Sequence, residues 1–356
     1  MSRAALAKKI GLTRAAITKI VDSLINEGII VEKGTVSAGL GRNPTILDIN
    51  PDCYYAIGLN LTRNKFSLGA INAAGEVIKY LDLDIDVSEG PSKILSVING
   101  EVENLLASLE IPEERLLGLG IIAPGPLDST EGIIINPPNF TKWENVPIVA
   151  ELKKTFEFPV ILENNASAFA IAEKNYGAAK SFSDFILLNV DAGIGAGIIT
   201  NNTLYKGANS LGAELGHTSI IYDGKKCSCG NNGCLEVYAS VPAIVEKAKQ
   251  IDAAVSTWEE IVERALTDER FVRIVEAEAD YLATSIVTSV NILGIEAVIL
   301  SGEVTYRSEL LLKAISKRVN SLSINRDLYK TNILISDIKS HSEIVSAASI
   351  VFEKLF

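Results

Sequence analysis

Between Arg3 and Asn50 the period of the apolar positions changes twice. Leu6 and Ile10 sit one helical turn apart, and Gly11 breaks the run. Ile17, Ile20, Val21, Leu24 and Ile25 then recur at i, i+3, i+4, i+7 and i+8, the spacing of a helix with one buried face. Thr13 stands where an N-cap belongs, and Glu27–Gly28 ends the run. "IIVEKGTVSAGLGRNPTILDI" follows, two β-prone runs on either side of a Gly-rich turn. Helix, glycine turn, helix and hairpin is the order of a winged helix-turn-helix over residues 1–49. A winged helix normally has another helix ahead of the turn motif, and here the sequence opens on the motif itself: either the start lies upstream or the head is minimal and packs on the body.

After "NPDC" the pattern becomes one of strands and turns. "YYAIGLNLT", "KFSLGAINAAG" and "VIKYLDLDI" read as three antiparallel strands, followed by a helix over Ser92–Ser108 and a strand "LLGLGIIA". A strand at Pro159–Leu162 runs through Glu163 into the tandem amides Asn164 and Asn165, and a helix is expected over 166–176. "FILLNVDAGIGAGIIT" is a second strand-turn-strand. It is followed by a long apolar helix near Phe271–Leu293, a strand in "AVILSGEV" and a last helix over Ser342–Phe356. The chain is therefore expected to be α/β, with a winged helix-turn-helix ahead of two related lobes around a cleft. The expected bounds are 50–118 plus 342–356 for a small lobe and 119–341 for a large one.

Composition adds a direction to this pattern. A chain of 356 residues, 47% apolar, can bury more than one core. No apolar run approaches the ~20 residues of a membrane span. The start, "MSRAALAKKIG", lacks the apolar core of a signal peptide, so a cytoplasmic protein is expected. Residues 1–50 carry a net charge of +3, and the remaining 306 carry −14. A basic head on an acidic body suits a DNA-binding module joined to a domain that stays off DNA. The second helix would offer Thr13, Arg14, Ala15, Thr18 and Lys19 to a major groove. Arg42, in "GLGRNP", would reach a minor groove or a phosphate. One head supplies little contact area, so a homodimer or homotetramer on a palindromic operator is expected.

Candidate chemistry gathers in two places. Cys227, Cys229 and Cys234 crowd into eight residues downstream of His217, one of two histidines in the chain. Three thiolates and an imidazole form a closed tetrahedral set for structural Zn2+, in loop 217–234. Metal binding through one ring nitrogen would orient the other. Glu214 and Glu236 would be held nearby, and carboxylates, an imidazole N–H and amides together suit a polyhydroxylated ligand. The second place is Asn164–Asn165, at the end of a strand where α/β proteins put their ligands. An amide can hold a hydroxyl there but cannot accept its proton. Glu163 is the only neighbouring carboxylate, set two residues back from Asn165. Asn165 is expected to cap the following helix, and Asn164 to contact the ligand.

"GAELGH" with "CSCGNNGCLE" resembles the ROK family of bacterial repressors and sugar kinases, as do "IIAPGPLD" and "PPNFTKW". The resemblance runs from about residue 3 to the C-terminus and implies the actin-like ATPase fold, two ribonuclease H-like lobes closing on a sugar. It implies sugar contacts from Asn139, Asn164, Asn165, Glu214, His217 and Glu236, with zinc on His217, Cys227, Cys229 and Cys234. The family's kinases place an aspartate base where this chain has Asn165. Their first phosphate loop, Asp-x-Gly-Gly-Thr, is here "NLTRN", Asn60 to Asn64, and a later Gly-Gly pair reads Ser301–Gly302. "DAGIGAG", Asp191 to Gly197, keeps a phosphate-loop look that tight packing explains equally well. The resemblance thus points to a sugar-responsive repressor, with a monosaccharide as effector and no catalytic residues. An ATP-dependent sugar kinase and a regulator answering to a protein partner remain as alternatives.

Overall fold

The computed structural model describes residues 1–35, 45–138 and 140–355. The head consists of α1 (Arg3–Ile10), α2 (Arg14–Asn26), β1 (Ile30–Thr35) and β2 (Thr45–Ile49). Gly11, at φ 78°, closes α1 in the left-handed conformation, and the Thr13 hydroxyl accepts from Ala16 N to start α2. The two strands pair antiparallel as a hairpin. Ala7, Ile17, Val21 and Leu47 form the head's small core. Ile10 and Ile20, expected on the apolar stripe, are instead exposed, because two helices and a hairpin can cover only one face of each helix. Leu47, on the second strand of the hairpin, is a core residue. The connection to the body is the turn after Asn50, whose Nδ2 donates to Gly28 O at 2.7 Å.

The first lobe opens with β3 (Tyr55–Leu61), β4 (Lys65–Asn72), β5 (Val77–Asp84), α3 (Pro91–Ala107) and β6 (Leu116–Ala123). Short strands β7 (Leu127–Asp128) and β8 (Ile133–Ile134), α4 (Ile148–Leu152), β9 (Val160–Asn164) and α5 (Asn165–Asn175) follow. The second lobe has β10 (Phe185–Val190), β11 (Ile194–Thr200), β12 (Thr203–Leu204), α6 (Glu236–Ala239), α7 (Val241–Lys249), α8 (Trp258–Ala265) and α9 (Glu269–Leu293). It ends with β13 (Ala297–Ser301), α10 (Glu309–Leu322) and β14 (Asn332–Ile335), and α11 (Ser342–Leu355) closes the chain. The sheets run β5-β4-β3-β6-β9 and β12-β11-β10-β13-β14. In each, three antiparallel strands are extended by two parallel ones, so one topology is used twice. β6 and β9 lie in the first sheet, which carries the first lobe through to Asn164 rather than to residue 118. Parallel pairing requires a long crossover, and the chain between β6 and β9 is that crossover. Among the described residues no helix is long and apolar enough to cross a membrane.

Helices α5 and α11 fill the space between the sheets, α11 against β3, β4 and β6 and α5 against β10 and β11. The contact is close enough to require glycine. A Cβ on Gly120 would lie 1.8 Å from Ala347 O, and one on Gly197 2.3 Å from Ala166 O. The second case gives the glycines of "DAGIGAG" a packing role against α5. Gly120→Ala is expected to destabilise the protein by about 1–3 kcal/mol, read from the denaturation midpoint. An unchanged midpoint would show that α11 can move away at no cost.

Candidate functional site

The tandem amides divide their roles at a strand-to-helix junction. Asn164 keeps extended backbone, φ −68° and ψ 144°, and its Oδ1 accepts from Ala166 N at 3.0 Å. The cap is therefore Asn164, and Asn165 is the first residue of the helix, the reverse of the expected capping. Capping engages only the oxygen of the Asn164 amide, leaving Nδ2 as a donor; a Cβ on Gly125 would lie 3.3 Å from it. Asn165 Oδ1 is buried without a hydrogen-bond partner. Glu163 is buried, accepts from Asn164 N through Oε1 at 2.9 Å and pairs through Oε2 with Lys206 Nζ at 2.6 Å. Its carboxylate is held by a cation rather than poised as a base.

Glu163, Asn164, Ser167, Lys206 and Glu214 line a cavity of about 50 Å3, with Gly125 and Pro126 opposite. This is smaller than the roughly 300 Å3 at which ligand pockets begin. The loop over 205–213 closes it. Lys206 Nζ donates to Ser129 Oγ at 3.1 Å, and Ser129 Oγ donates to Ser210 Oγ at 2.9 Å. Ser210 and Ala213 hold left-handed backbone, φ 59° and 67°, a conformation that costs non-glycine residues energy and clusters at ligand clamps. Lys206 is absent from the residues chosen on sequence. One signal for it was available, since it is the only charged residue between Asp191 and Glu214.

Glu214 is brought beside His217 and Glu236. Burial raises its carboxyl above the ordinary value; His217 opposes this and Glu236 adds to it. Glu236 Oε2 accepts from Ile194 N at 3.0 Å, which ties the start of α6 to the β10–β11 turn. His217 and Glu236 stand behind Glu214 and do not line the small cavity. Asn139 and Arg42 lie outside the described residues. Phe140 and Trp143 are buried in the first lobe, and Trp143 Nε1 donates to Val87 O at 3.0 Å.

The ligating atoms of His217, Cys227, Cys229 and Cys234 all lie within 4.8 Å of one another. Cys229 Sγ and Cys234 Sγ are 3.7 Å apart, and Cys227 Sγ is 3.6 Å from His217 Nδ1. A tetrahedral ion with metal–sulfur bonds of about 2.3 Å and metal–nitrogen bonds of about 2.0 Å would require separations of ~3.8 and ~3.6 Å. The sulfurs are too far apart for a disulfide, whose bond is about 2.05 Å. The four groups can hold a metal ion.

A larger cavity, of about 760 Å3, lies between the lobes and is lined by residues of β3, α5, β10, β13 and α11. Asp191, among its lining residues, is held on both oxygens: Oδ2 accepts from Asn189 Nδ2 at 2.9 Å and Oδ1 from Glu303 N at 2.7 Å.

The family model described as "ROK family" matches residues 56–354. The chain belongs to the ROK family. A xylose repressor of Caldicellulosiruptor bescii is 31% identical over 100% of this chain and 92% of its own length. A glucokinase of Thermotoga maritima is 29% identical, over 84% of this chain and 98% of the enzyme. Among solved structures, a ROK family transcriptional regulator homologous to the E. coli MLC protein superposes with a TM-score of 0.79. It is 26% identical and covers 99% of this chain and 91% of that one.

This ROK chain has its head ahead of the region the family model matches. On α2, Thr13, Arg14, Ala15, Thr18 and Lys19 are all exposed. The Thr13 hydroxyl is engaged as the cap, and Thr18 Oγ1 donates to Arg14 O at 2.8 Å. Arg14 and Lys19 have no ion pair among the described residues. Arg3 is bound to Asp22 and Glu32, and Lys33 to Asp48, so these cations hold the head together instead. Behind the head, Arg115 Nη1 donates to Asp52 O at 2.8 Å, and its guanidinium would lie 3.8 Å from a Cβ on Gly28. Arg115 too was missed on sequence, where a charged residue before a strand looks like any exposed turn.

Proposed function

We propose that this chain is a sugar-responsive transcriptional repressor of the cytoplasm, binding operator DNA through residues 1–49 as a homodimer or homotetramer. The observation that carries the reading is the amide of Asn165, facing the interlobe cavity where phosphotransfer would need a base. Glu163 does not replace it, because Lys206 holds that carboxylate. Exposed, unpaired Arg14 and Lys19 on the second helix of the head supply the DNA contacts, with Thr13, Ala15 and Thr18 beside them and Arg42 on the wing. The effector is a monosaccharide at Asn164 and Glu214, with Asn139, Asn165, His217 and Glu236 completing the set. The Caldicellulosiruptor relative is named for xylose, which makes a pentose the first sugar to test. Zinc on His217, Cys227, Cys229 and Cys234 fixes the loop that carries Glu214 and Glu236.

The cavity of about 50 Å3 must widen to admit a sugar, and the contacts of Lys206 with Glu163 and Ser129 are those that separate. A ligand shifts the protein only by its differential affinity for the two states, typically about 1–3 kcal/mol. The test is a gel shift on the DNA upstream of the protein's own coding region, with a sugar panel added. Expected are a retarded complex, a change in its affinity with one sugar, and no phosphotransfer from ATP to any of them. Turnover that disappears on Asp191→Asn would sink this reading in favour of the kinase. Arg14→Ala and Lys19→Ala should each flatten the salt dependence of operator binding by about one unit of log–log slope. An unchanged slope would remove that residue from the interface.

A further inference from the structure

The interlobe cavity, about 760 Å3 against about 50 Å3 beside Asn164, is given no ligand in the reading above. Three of its lining residues carry a buried oxygen without a hydrogen-bond partner: Asn60 Oδ1, Asn165 Oδ1 and Ser346 Oγ. Asn60 is 9% exposed and Ser346 1%, so both are built into the wall. Such atoms are rare in folded proteins and mark a missing partner. The amide oxygens accept only, so the partner must bring O–H or N–H donors. Phe169, Leu187 and Ile335 add an apolar wall, the usual composition of a ligand pocket.

Charge narrows the class further. The ionisable lining groups are Lys65, Lys339, Glu173, Asp191 and Glu343, a formal balance of −1. Lys65 is paired with Asp82 at 3.3 Å. A polyphosphate would meet this wall without an arginine and without the Gly-rich backbone cradle that binds such anions. An uncharged polyhydroxylated ligand meets no such penalty. The two cavities, moreover, are lined by consecutive residues, Asn164 on the small one and Asn165 on the large one.

We propose that the two cavities are successive subsites for one uncharged disaccharide. One sugar unit lies at Asn164 and Glu214, and the second gives its hydroxyls to Asn60, Asn165 and Ser346. This rests on the sugar-responsive reading and extends it from one unit to two. The three contacts lie on β3, α5 and α11, while Leu187 and Ser301 of the second lobe line the same cavity, so a unit that fills it touches both lobes and adds to the free energy of closure.

Calorimetry on the full-length, zinc-loaded protein tests this, with xylose and glucose against xylobiose and cellobiose, and adenosine and ATP as controls. One disaccharide is expected to bind once per chain, about tenfold or more tighter than its own monosaccharide, because it satisfies groups that otherwise stay unpaired. Asn60→Leu should remove that advantage and leave monosaccharide affinity unchanged. Ser346→Ala, which removes an unpartnered oxygen from the α11 wall, is the second variant should the first fail to fold. Disaccharides binding no tighter than their monosaccharides would overturn the inference while leaving the single-sugar reading intact, and so would variants that weaken both classes alike. Binding of adenosine or ATP that depends on Asn60 would also overturn it. No binding by any sugar would remove the sugar-responsive reading itself, and this inference with it.

Discussion

Cys234→Ser is expected to reduce bound zinc from about one equivalent per chain to none and to lower stability by several kcal/mol. Cys234 is fully buried, followed by fully buried Leu235 and then Glu236. Beside the thiols, the loop it anchors is held by hydrogen bonds, among them Ser219 Oγ to Asn232 O at 2.5 Å and Lys225 N to Tyr238 Oη at 2.6 Å. Backbone bridges join Ser219 to Cys234 and Lys226 to Asn232, and the intervening residues are mostly exposed. Loops of this kind draw their order from the ion, whose binding is folding free energy. The loss should extend to the effector, because His217 stands beside Glu214 and Glu236 ties α6 to the β10–β11 turn. Metal analysis, thermal melting with and without a chelator, and sugar titration give three separate readings. A variant that lost its zinc yet melted like the parent would show that packing alone holds residues 217–234.

Glu278→Leu is expected to act in the opposite direction, raising stability by about 2–4 kcal/mol near pH 8, since each of two unpartnered carboxyl oxygens costs ~1–3 kcal/mol. Glu278 lies on α9, fully buried, with neither oxygen hydrogen-bonded. Burial raises its pKa well above the ordinary 4.5, with Lys247 opposing. That lysine is occupied elsewhere, donating to Tyr281 Oη at 3.1 Å. A raised folded pKa favours the native state fully only below the unfolded value, and that contribution is lost as pH rises through the folded pKa. The gain from Glu278→Leu should therefore be smallest near pH 4 and grow toward alkaline pH. Glu278→Gln separates the two costs, because it removes the pH dependence but keeps unpaired polar atoms in the core. Stability of the leucine variant at or below the parent at pH 8 would mean that Glu278 has a partner in solution.

Much of this was legible in the chain, and the exceptions have physical causes. The helices of the head and the strands of both sheets follow from apolar period and from glycine and asparagine punctuation. The Cys–His set was legible because three thiols in eight residues have few other uses. The lobe boundary was not, because membership of a sheet depends on which strands pair, and β9 joins β6 only after a long crossover. The division of labour between Asn164 and Asn165 turned on one residue's backbone conformation, which two adjacent asparagines do not disclose. Lys206 and Arg115 act across sequence separations of 43 and 63 residues, beyond the reach of any local pattern. Ile10 and Ile20 kept the helical period yet ended exposed, since period reports an available face and says nothing of whether another element covers it.

Strand β6 has a consequence for how an effector could reach the DNA. Arg115, on the residue before its first position, fastens the turn below the head, and Gly125, two residues past its end, faces Asn164. Parallel neighbours bond β6 on both edges, β3 on one side and β9 on the other. A strand stitched along both edges cannot slide like a piston without breaking two ladders at once. It can move only with its sheet, so on the proposed function the message from sugar to operator would be a turn of the whole first lobe.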